Sequence, residues 1–208
     1  LRSEAHLHGA RPIAGAGTLH LRSAAELAAL LRSGSPPEAS IGLAAANALL
    51  NCRAGGLVEL KALEVLRQLG AGRRVAMIGR FPFADELRES CERLWVFERG
   101  IGRCEGDLDE GEIAEQLPAA EVVAVTATTL LNGTLPSVLA SVRGDAFLMM
   151  LGPSTPLTPA LFDLGFDLLC GTVIEDPPAV IRAVEQGAVT RQITGVRRVS
   201  LWRGDGSA

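Results

Sequence analysis

The stretch VVAVTATTLLNGTLP, residues 122–136, contains the pattern on which the fold prediction rests. A short run of β-branched and other apolar residues leads into a polar turn, and Thr134 then precedes Leu135 and Pro136. An apolar run without polar alternation is typical of a buried parallel strand, because helices cover both faces of a parallel sheet. A threonine before a proline is typical of a helix start, since proline needs no N–H partner in the first turn. The stretch therefore predicts a strand, a turn and a helix in succession.

The same pattern of an apolar run, a polar turn and a helix start repeats along the last two thirds of the chain. Thr158 precedes Pro159, and Asp176 precedes two prolines, so both positions predict further capped helix starts. Five more apolar runs predict strands: VAMIG at 75–79, LWVF at 94–97, AFLMML at 146–151, LLCGTVI at 168–174 and RRVSLW at 197–202. Strands that alternate with helices predict a Rossmann-like α/β fold, with a mostly parallel sheet of about six strands and helices on both faces.

The first third of the chain has a different pattern, with an irregular or stranded start followed by helices. Ser23 with Glu26 three residues later forms a capping-box pattern. The segments PEASIGLAAANALLN at 37–51 and LVELKALEVLRQLG at 57–70 also have helical spacing. A polar break at 71–74 predicts the boundary between a smaller N-terminal domain, 1–72, and the Rossmann-like domain, 73–208.

Composition limits the classes of function. The 208 residues are 48% hydrophobic, which is enough for one large or two small domains. The net charge of −4, with basic residues spread along the chain, argues against a nucleic-acid partner. No apolar run reaches the roughly 20 residues that span a bilayer, so no membrane partner is expected. Four cysteines without a C-x-x-C pair indicate reduced thiols and a cytoplasmic location.

Polar residues follow each predicted strand, where an α/β sheet binds ligands near the point at which its strand order reverses. Glu98 lies 19 positions after Gly79, the spacing at which nucleotide-binding sheets place an acid for ribose hydroxyls. The alternative is a surface acid paired with Arg99 or Arg103. The polar strand ends contain Gly79, Phe81 and Pro82 after the first strand, Glu98 after the second, and Thr128, Thr129, Asn132 and Thr134 after the third.

The fourth strand ends in GPSTP, residues 152–156. Its glycine allows close backbone approach and its prolines fix φ, so hydroxyl and N–H groups are held ready for a polar ligand. The alternative is that Ser154 and Thr155 only brace the turn. We expect this turn to lie beside TLLNGT, with Asn132 and Thr155 facing a solvated site.

Seven motifs, in order, resemble those of a bacterial and archaeal family described as "putative heavy-metal chelation", a domain of unknown function: IGLAAANALLN, VAMIGRFPF, VFER, GDL, TATTLLNGTL, LGPSTPL and GTVIEDP. The match covers residues 41–187. The resemblance implies a small N-terminal α+β domain similar to that of enolase, a Rossmann-like domain, and a ligand cleft between them. The cleft residues that it implies are Asn47, Phe81, Pro82, Glu98, Asp107, Thr129, Asn132, Thr134, Gly152, Pro153, Ser154, Thr155 and Pro156.

The chain departs from that family in one loop. A proline usually follows the family's glutamate, whereas here Glu98 is followed by RGIGRCEGDLDE, so the loop shape and the role of Asp107 stay open. The pair His6 and His8, or Cys104 beside Glu105 and Asp107, could ligate a metal, although both groups are more often plain surface groups.

Three functions compete at this point. The first is an enzyme that makes or modifies a metal-chelating metabolite, with a nucleoside-containing cofactor such as S-adenosylmethionine, or with a divalent metal. It lacks an obvious base, because the α/β half has no histidine and only carboxylates such as Asp107 or Asp176 are candidates. The second is a non-catalytic binding protein for a metal chelate or a metabolite. The third is a scaffold whose apolar helices pair in a homodimer.

Overall fold

The computed structural model describes residues 12–51 and 55–204. Its central sheet has the strand order β2-β1-β3-β4-β5-β6, in which the first five strands are parallel and β6 is antiparallel to β5. The strands are β1 (Arg74–Ile78), β2 (Arg93–Phe97), β3 (Val122–Thr126), β4 (Phe147–Leu151), β5 (Leu168–Ile174) and β6 (Val196–Trp202). Each predicted strand is confirmed to within one residue at either end, and so is the mostly parallel α/β sheet.

The strand order reverses between β1 and β3. From β1 the chain passes to β2 on one side, and it then returns to place β3 on the other side of β1. The helices that follow β1 and β3 therefore lie on opposite faces, and the carboxyl ends of β1 and β3 are where a sheet of this kind typically binds its ligand. This is the position at which the sequence predicts a ligand.

Both faces of the sheet are buried, because successive side chains of each strand point to opposite sides. On β1, Ala76 and Ile78 belong to one apolar cluster, and Val75 and Met77 belong to the other. The α-helices are α1 (Ala24–Ala28), α2 (Pro36–Asn51), α3 (Ala62–Gly70), α4 (Ala84–Arg88), α5 (Ile113–Gln116), α6 (Leu135–Ser141) and α7 (Pro177–Glu185). Side chains of α3 and α4 cover the second cluster and side chains of α6 the first, so the predicted layering is confirmed.

The helix starts follow the predicted caps with one exception. Ser23 and Glu26 form the reciprocal capping box of α1, and the Asp176 carboxylate accepts from Ala179 N at 3.1 Å. Thr158 accepts from Ala160 N, although the segment that it caps, Pro159–Leu164, is a 3-10 helix. The expectation that Thr134 caps α6 through its side chain is wrong, because its hydroxyl donates to Asn132 Oδ1 instead.

The helix predicted over 57–70 begins only at Ala62. Before that point Val58 pairs antiparallel with Ser200, with N···O distances of 3.0 and 2.8 Å. The leucine spacing is helical, but β6 offers the backbone of Val58 an open edge to pair with. Residues before the predicted boundary at 72/73 therefore contact the sheet, and the boundary itself stays a prediction.

Helices and turns make up residues 12–51, and these described residues contain no strand. The contact between α2 and the preceding 3-10 helix, Ala29–Arg32, depends on Gly42, where an added Cβ would lie 2.1 Å from Leu31 N. The predicted irregular or stranded start, with His6 and His8, falls on residues 1–11, outside the described residues. Within the described ranges, no helix combines the length and the apolar character needed to span a bilayer.

Candidate functional site

The candidate site is the row of turns that follows the carboxyl ends of β2, β1, β3 and β4. Gly79, at φ +92°, touches the third strand so closely that an added Cβ would lie 2.8 Å from Thr126 Cγ2. At the next strand end, a Cβ on Gly152 would lie 3.7 Å from the Cβ of Ala127. The turn TLLNGT thus begins beside the turn GPSTP, as expected for neighbouring strands that end at one edge.

Glu98 joins the ends of β1 and β2. One carboxylate oxygen accepts from Arg80 N at 2.6 Å, and the other accepts from Arg99 N at 2.7 Å. Its own N–H donates to the carbonyl of Leu108, at 3.1 Å. The open alternative of a side-chain ion pair with Arg99 or Arg103 does not occur among the described contacts, because the carboxylate binds backbone amides. Glu98 therefore fixes the shape of the strand ends, whatever else it binds.

Arg80 is a site residue that the sequence analysis missed. Its guanidinium donates to Asp107 Oδ1 at 2.7 Å and to both oxygens of Asp85 at 2.6 and 2.7 Å. The hydrogen bonds with Asp85 raise the pKa of Arg80 most, and the charge of Asp107 adds to the effect. The signal in the sequence was an arginine directly after a strand-ending glycine. Which carboxylates it pairs with depends on how the loop after Glu98 folds back.

Asp107, predicted to face the cleft, has a fully buried carboxylate. Besides Arg80, it accepts from Cys104 N at 2.9 Å. Both oxygens thus have partners inside the protein, which makes Asp107 a brace between the loop and β1. The same contacts argue against the metal hypothesis for Cys104 with Glu105 and Asp107, because the carboxylate is already neutralised by an arginine.

The TLLNGT turn holds itself together with its own hydroxyl groups. Thr129 is buried and donates to the carbonyl of Thr126 at 2.8 Å, while Thr128 is exposed and lies 3.1 Å from the hydroxyl of Thr126. The exposed Asn132 accepts through Oδ1 from the N–H of Thr134 at 3.1 Å, so its amide group stays free for the solvent side. The side chains available to a ligand here are Asn132, within the turn, and Thr128, directly before it.

The GPSTP turn differs from expectation in its central residue. Thr155 is 0% exposed, so the expectation that it faces a solvated site is wrong. Its backbone turns inward after Gly152, whose φ of +131° places the next residues under the sheet edge, and its carbonyl lies against Gly171. The hydroxyl oxygen of Thr155 is buried and has no hydrogen-bond partner among the described residues.

Asn47, on α2, reaches the same turn. Its Nδ2 donates to the carbonyl of Ser154 at 2.7 Å, a contact between residues 107 apart in sequence. This bond to a loop carbonyl gives Asn47 a structural role that needs no ligand. Its Oδ1, however, is buried without a described partner, like the hydroxyl of the adjoining Thr155. The residue that binds the Ser154 carbonyl and the residue that follows Ser154 thus each have one buried polar atom without a described partner.

The burial of the predicted residues divides them into three groups. Asp107, Thr129, Thr155 and Pro156 are buried; Asn47, Gly79, Phe81, Glu98, Thr134, Gly152 and Ser154 are half-buried; Pro82, Thr128, Asn132 and Pro153 are exposed. The Phe81 ring stacks on Phe83 with centroids 5.5 Å apart and packs against the core. Three cavities of about 330 to 520 Å³ occur elsewhere on the described surface, and none of the three is lined by these residues.

The donor groups do not form a built-in metal centre. Among the described residues, no three His, Cys, Asp or Glu side chains are grouped so that they could hold an ion. The oxygens at the edge that lack partners are an amide carbonyl and a hydroxyl, whereas soft heavy metals prefer thiolate and imidazole ligands. The described part of the site therefore does not supply the thiolate and imidazole ligands that a bare soft-metal ion prefers.

The chain matches a known protein family. Two family models, both described as "putative heavy-metal chelation", match the chain, one over residues 61–203 and the other over residues 3–50. This chain belongs to the DUF364 family. The two matched segments of the family pattern are separated by residues 51–60. No curated protein matches the chain.

Two solved structures of the DUF364 family are similar to this chain. A protein of unknown function from Desulfitobacterium hafniense DCB-2 has 27% sequence identity and a TM-score of 0.79, over 86% of this chain and 75% of that one. Another, from Pyrococcus horikoshii, has 17% identity and a TM-score of 0.79, over 96% and 79% of the two chains. The first supports the family assignment, and the second supports the fold.

Proposed function

We propose that this protein is a non-catalytic binding protein for a small polar organic molecule, held at the carboxyl edge of the sheet between α2 and the GPSTP turn. The observation that carries the proposal is the buried hydroxyl of Thr155 together with the buried Asn47 Oδ1, both without described partners. A buried polar group that lacks a partner costs about 1–3 kcal/mol, so native proteins rarely keep one without a reason. A ligand that opens the contact between α2 and the GPSTP turn would supply the missing hydrogen bonds.

The state of the acidic residues favours binding over catalysis. A general base needs a carboxylate that is free to accept a proton from the substrate. Asp107 is paired with Arg80, Asp176 caps α7, and Glu98 accepts two backbone N–H groups. Each of these acids therefore has a structural partner, which supports the binding hypothesis against the enzyme hypothesis.

A heavy metal would enter such a site as cargo. Because the described edge supplies amide and hydroxyl groups, a metal chelate would be recognised through its organic ligand, which provides the metal's own donor atoms. The exposed Asn132 amide and Thr128 hydroxyl would meet the outward part of the same molecule. This is the sense in which the proposal agrees with the family description.

A nucleoside-containing ligand is the second candidate, and the position of Glu98 supports it. The carboxylate lies at the end of β2, next to the end of β1, and each of its oxygens accepts one described hydrogen bond and keeps a second lone pair. A ribose hydroxyl could donate to one of them. Glu98→Gln would then weaken binding by about 1–3 kcal/mol.

Two matched variants test the main proposal, because their effects on the free energy of unfolding should have opposite signs. Thr155→Val removes the unpartnered hydroxyl without changing the side-chain shape, so unfolding should become harder by about 1 kcal/mol while ligand binding is lost. Thr129→Val is the matched control, because that buried hydroxyl already donates at 2.8 Å; it should lose about 1 kcal/mol of stability and keep ligand binding.

The probes are adenosine, S-adenosylmethionine, NiCl₂, CoCl₂ and nickel citrate, added in thermal-shift measurements on the wild type and both variants. A ligand at 100 times its dissociation constant adds about 2.7 kcal/mol, which is readily detected. Loss of stability in Thr155→Val as large as that in Thr129→Val would mean that the Thr155 hydroxyl is satisfied within the protein, and the proposal would fail.

Four further expectations stay proposals. The domain boundary at 72/73 and the similarity of the N-terminal domain to that of enolase need a cleavage or fragment experiment, since Val58 already pairs with β6. A cytoplasmic location and a homodimer through apolar helices are likewise untested. We expect the exposed Ile181 and Val184 of α7 to lie at such an interface. Sedimentation of the protein as a monomer in analytical ultracentrifugation would exclude the homodimer.

A further inference from the structure

A polar cavity lies at the outer edge of β2, away from the candidate site. Its volume is about 330 Å³, and its lining residues include Arg88, Arg93, Trp95, Gly106 and Leu108. β2 is an edge strand of the sheet. The backbone of Leu108 pairs with the outer side of β2 at Val96 and Glu98, so the strand is covered there and open toward its start.

Two arginines of this cavity have guanidinium groups with unused donors. Among the described residues, Arg93 has no carboxylate within 4.0 Å, and its guanidinium carbon lies 4.7 Å from the centre of the Trp95 ring. Arg88 has Asp107 as its only described ion-pair partner, at 3.9 Å, and Arg80 already neutralises that acid at 2.7 Å. With the exposed Glu92 also in the lining, the two arginines leave the cavity wall with a formal charge of +1.

Trp95 adds a buried donor to the same wall. The residue is 5% exposed, and its indole Nε1 is buried without a described hydrogen-bond partner. Buried indole N–H groups normally find an acceptor, because leaving one unpaired costs free energy. Trp95 is one of the residues that line the cavity, so a molecule bound there lies close to this residue.

We propose that this cavity binds the carboxylate of a small organic acid. The planar fork of an arginine matches a carboxylate through two parallel hydrogen bonds, and a guanidinium stacked on an aromatic ring keeps its in-plane N–H groups free for that purpose. One negative charge balances the +1 wall, whereas a doubly charged phosphate would leave an excess negative charge beside Glu92.

The chain contains two tryptophans, so Trp202→Phe leaves Trp95 as the only indole reporter. This variant is titrated with acetate, butyrate, hexanoate and inorganic phosphate at constant ionic strength, and Trp95 emission is followed. We expect a saturable change with the carboxylates. Arg93→Gln, in the same background, should weaken carboxylate binding about tenfold to a hundredfold, since a charge-assisted pair is lost.

Arg198→Gln is the matched control, because Arg198 is exposed on β6 at the opposite edge of the sheet and should leave the affinity unchanged. The absence of a saturable change, or equal affinities in Arg93→Gln and Arg198→Gln, overturns the site. Tighter binding of phosphate than of the carboxylates overturns the ligand assignment. If Trp202→Phe fails to fold, calorimetric titration of the protein with native tryptophans against the two arginine variants makes the same comparison.

Discussion

Removing the Arg80 side-chain charge should destabilise the protein more than any other change at an ion pair described here. Arg80→Met leaves the Asp107 carboxylate, which is fully buried, without its partner at 2.7 Å. The same change releases Asp85, but that side chain is 74% exposed and returns to water at little cost. The effect therefore comes almost entirely from Asp107.

The magnitude follows from what remains around Asp107. Removing one partner of a buried ion pair costs about 3–5 kcal/mol, because the other charge stays buried. We expect the lower end, about 3 kcal/mol, because the Cys104 N–H still donates at 2.9 Å and Arg88 lies 3.9 Å away. Urea slopes of about 1–3 kcal/mol per molar convert this loss into a midpoint lower by about 1–3 M.

Urea unfolding followed by circular dichroism measures this loss. Asp85→Asn is the control for the exposed half of the network, and its midpoint should stay close to that of the wild type. The double variant Arg80→Met with Asp107→Asn removes the buried charge as well, so it should recover part of the lost stability.

Two results would refute the reasoning. If Arg80→Met costs no more than Asp85→Asn, then Asp107 is not held as a buried charge by Arg80. If the double variant is less stable than the wild type by the sum of the losses measured for Arg80→Met and Asp107→Asn alone, the two side chains act independently, and the ion pair does not brace the loop after β2.

Two further predictions concern single positions in the fold. Gly79→Ala should lower the free energy of unfolding by about 2–4 kcal/mol, since it combines a positive φ with a 2.8 Å contact to Thr126. Gly72→Ala, with φ +64° and open space around the new Cβ, should lower it by only about 1–2 kcal/mol. Melting curves that show equal losses for the two variants would contradict this. Burial raises the pKa of the Cys170 thiol from 9.0 to about 11, so the folded state holds this proton more tightly than the unfolded state. The stabilisation that this tighter proton binding gives the folded state is complete below pH 9 and is lost as the pH rises toward 11. Cys170→Ala should therefore give a flatter decline of the urea midpoint over that range, and an unchanged slope would contradict the burial effect.

Local pattern was enough to predict the sheet. Runs such as VVAVTA and LLCGTVI are too short and too β-branched for helices, and the capped prolines after them begin new helices, so strand and helix alternate without any tertiary information. The failure at 57–61 has the same origin. Leu57 and Leu60 have helical spacing, but the open edge of β6, which takes up Val58, is formed by residues more than a hundred positions later.

The candidate site was predicted as an edge of the sheet, and only in part as a set of side chains. That polar residues gather after β1, β2, β3 and β4 follows from the strand pattern, because parallel strands end at one edge. Which of these side chains point outward does not follow from the strand pattern. Asn132 is exposed as expected, but Thr155 turns under the edge after Gly152, and nothing in the letters GPSTP distinguishes these two cases.

The sequence by itself determined the fold class, the order of strands and helices along the chain, and the family, because these depend on local periodicity and on motifs that are contiguous in the chain. Tertiary structure alone decided that Arg80 neutralises Asp107, that Asn47 reaches Ser154, and that Thr155 and Trp95 have buried groups without described partners. These features join residues 27 to 107 positions apart or depend on burial. Such contacts are fixed by the packing of whole elements, which side-chain spacing along one segment does not encode.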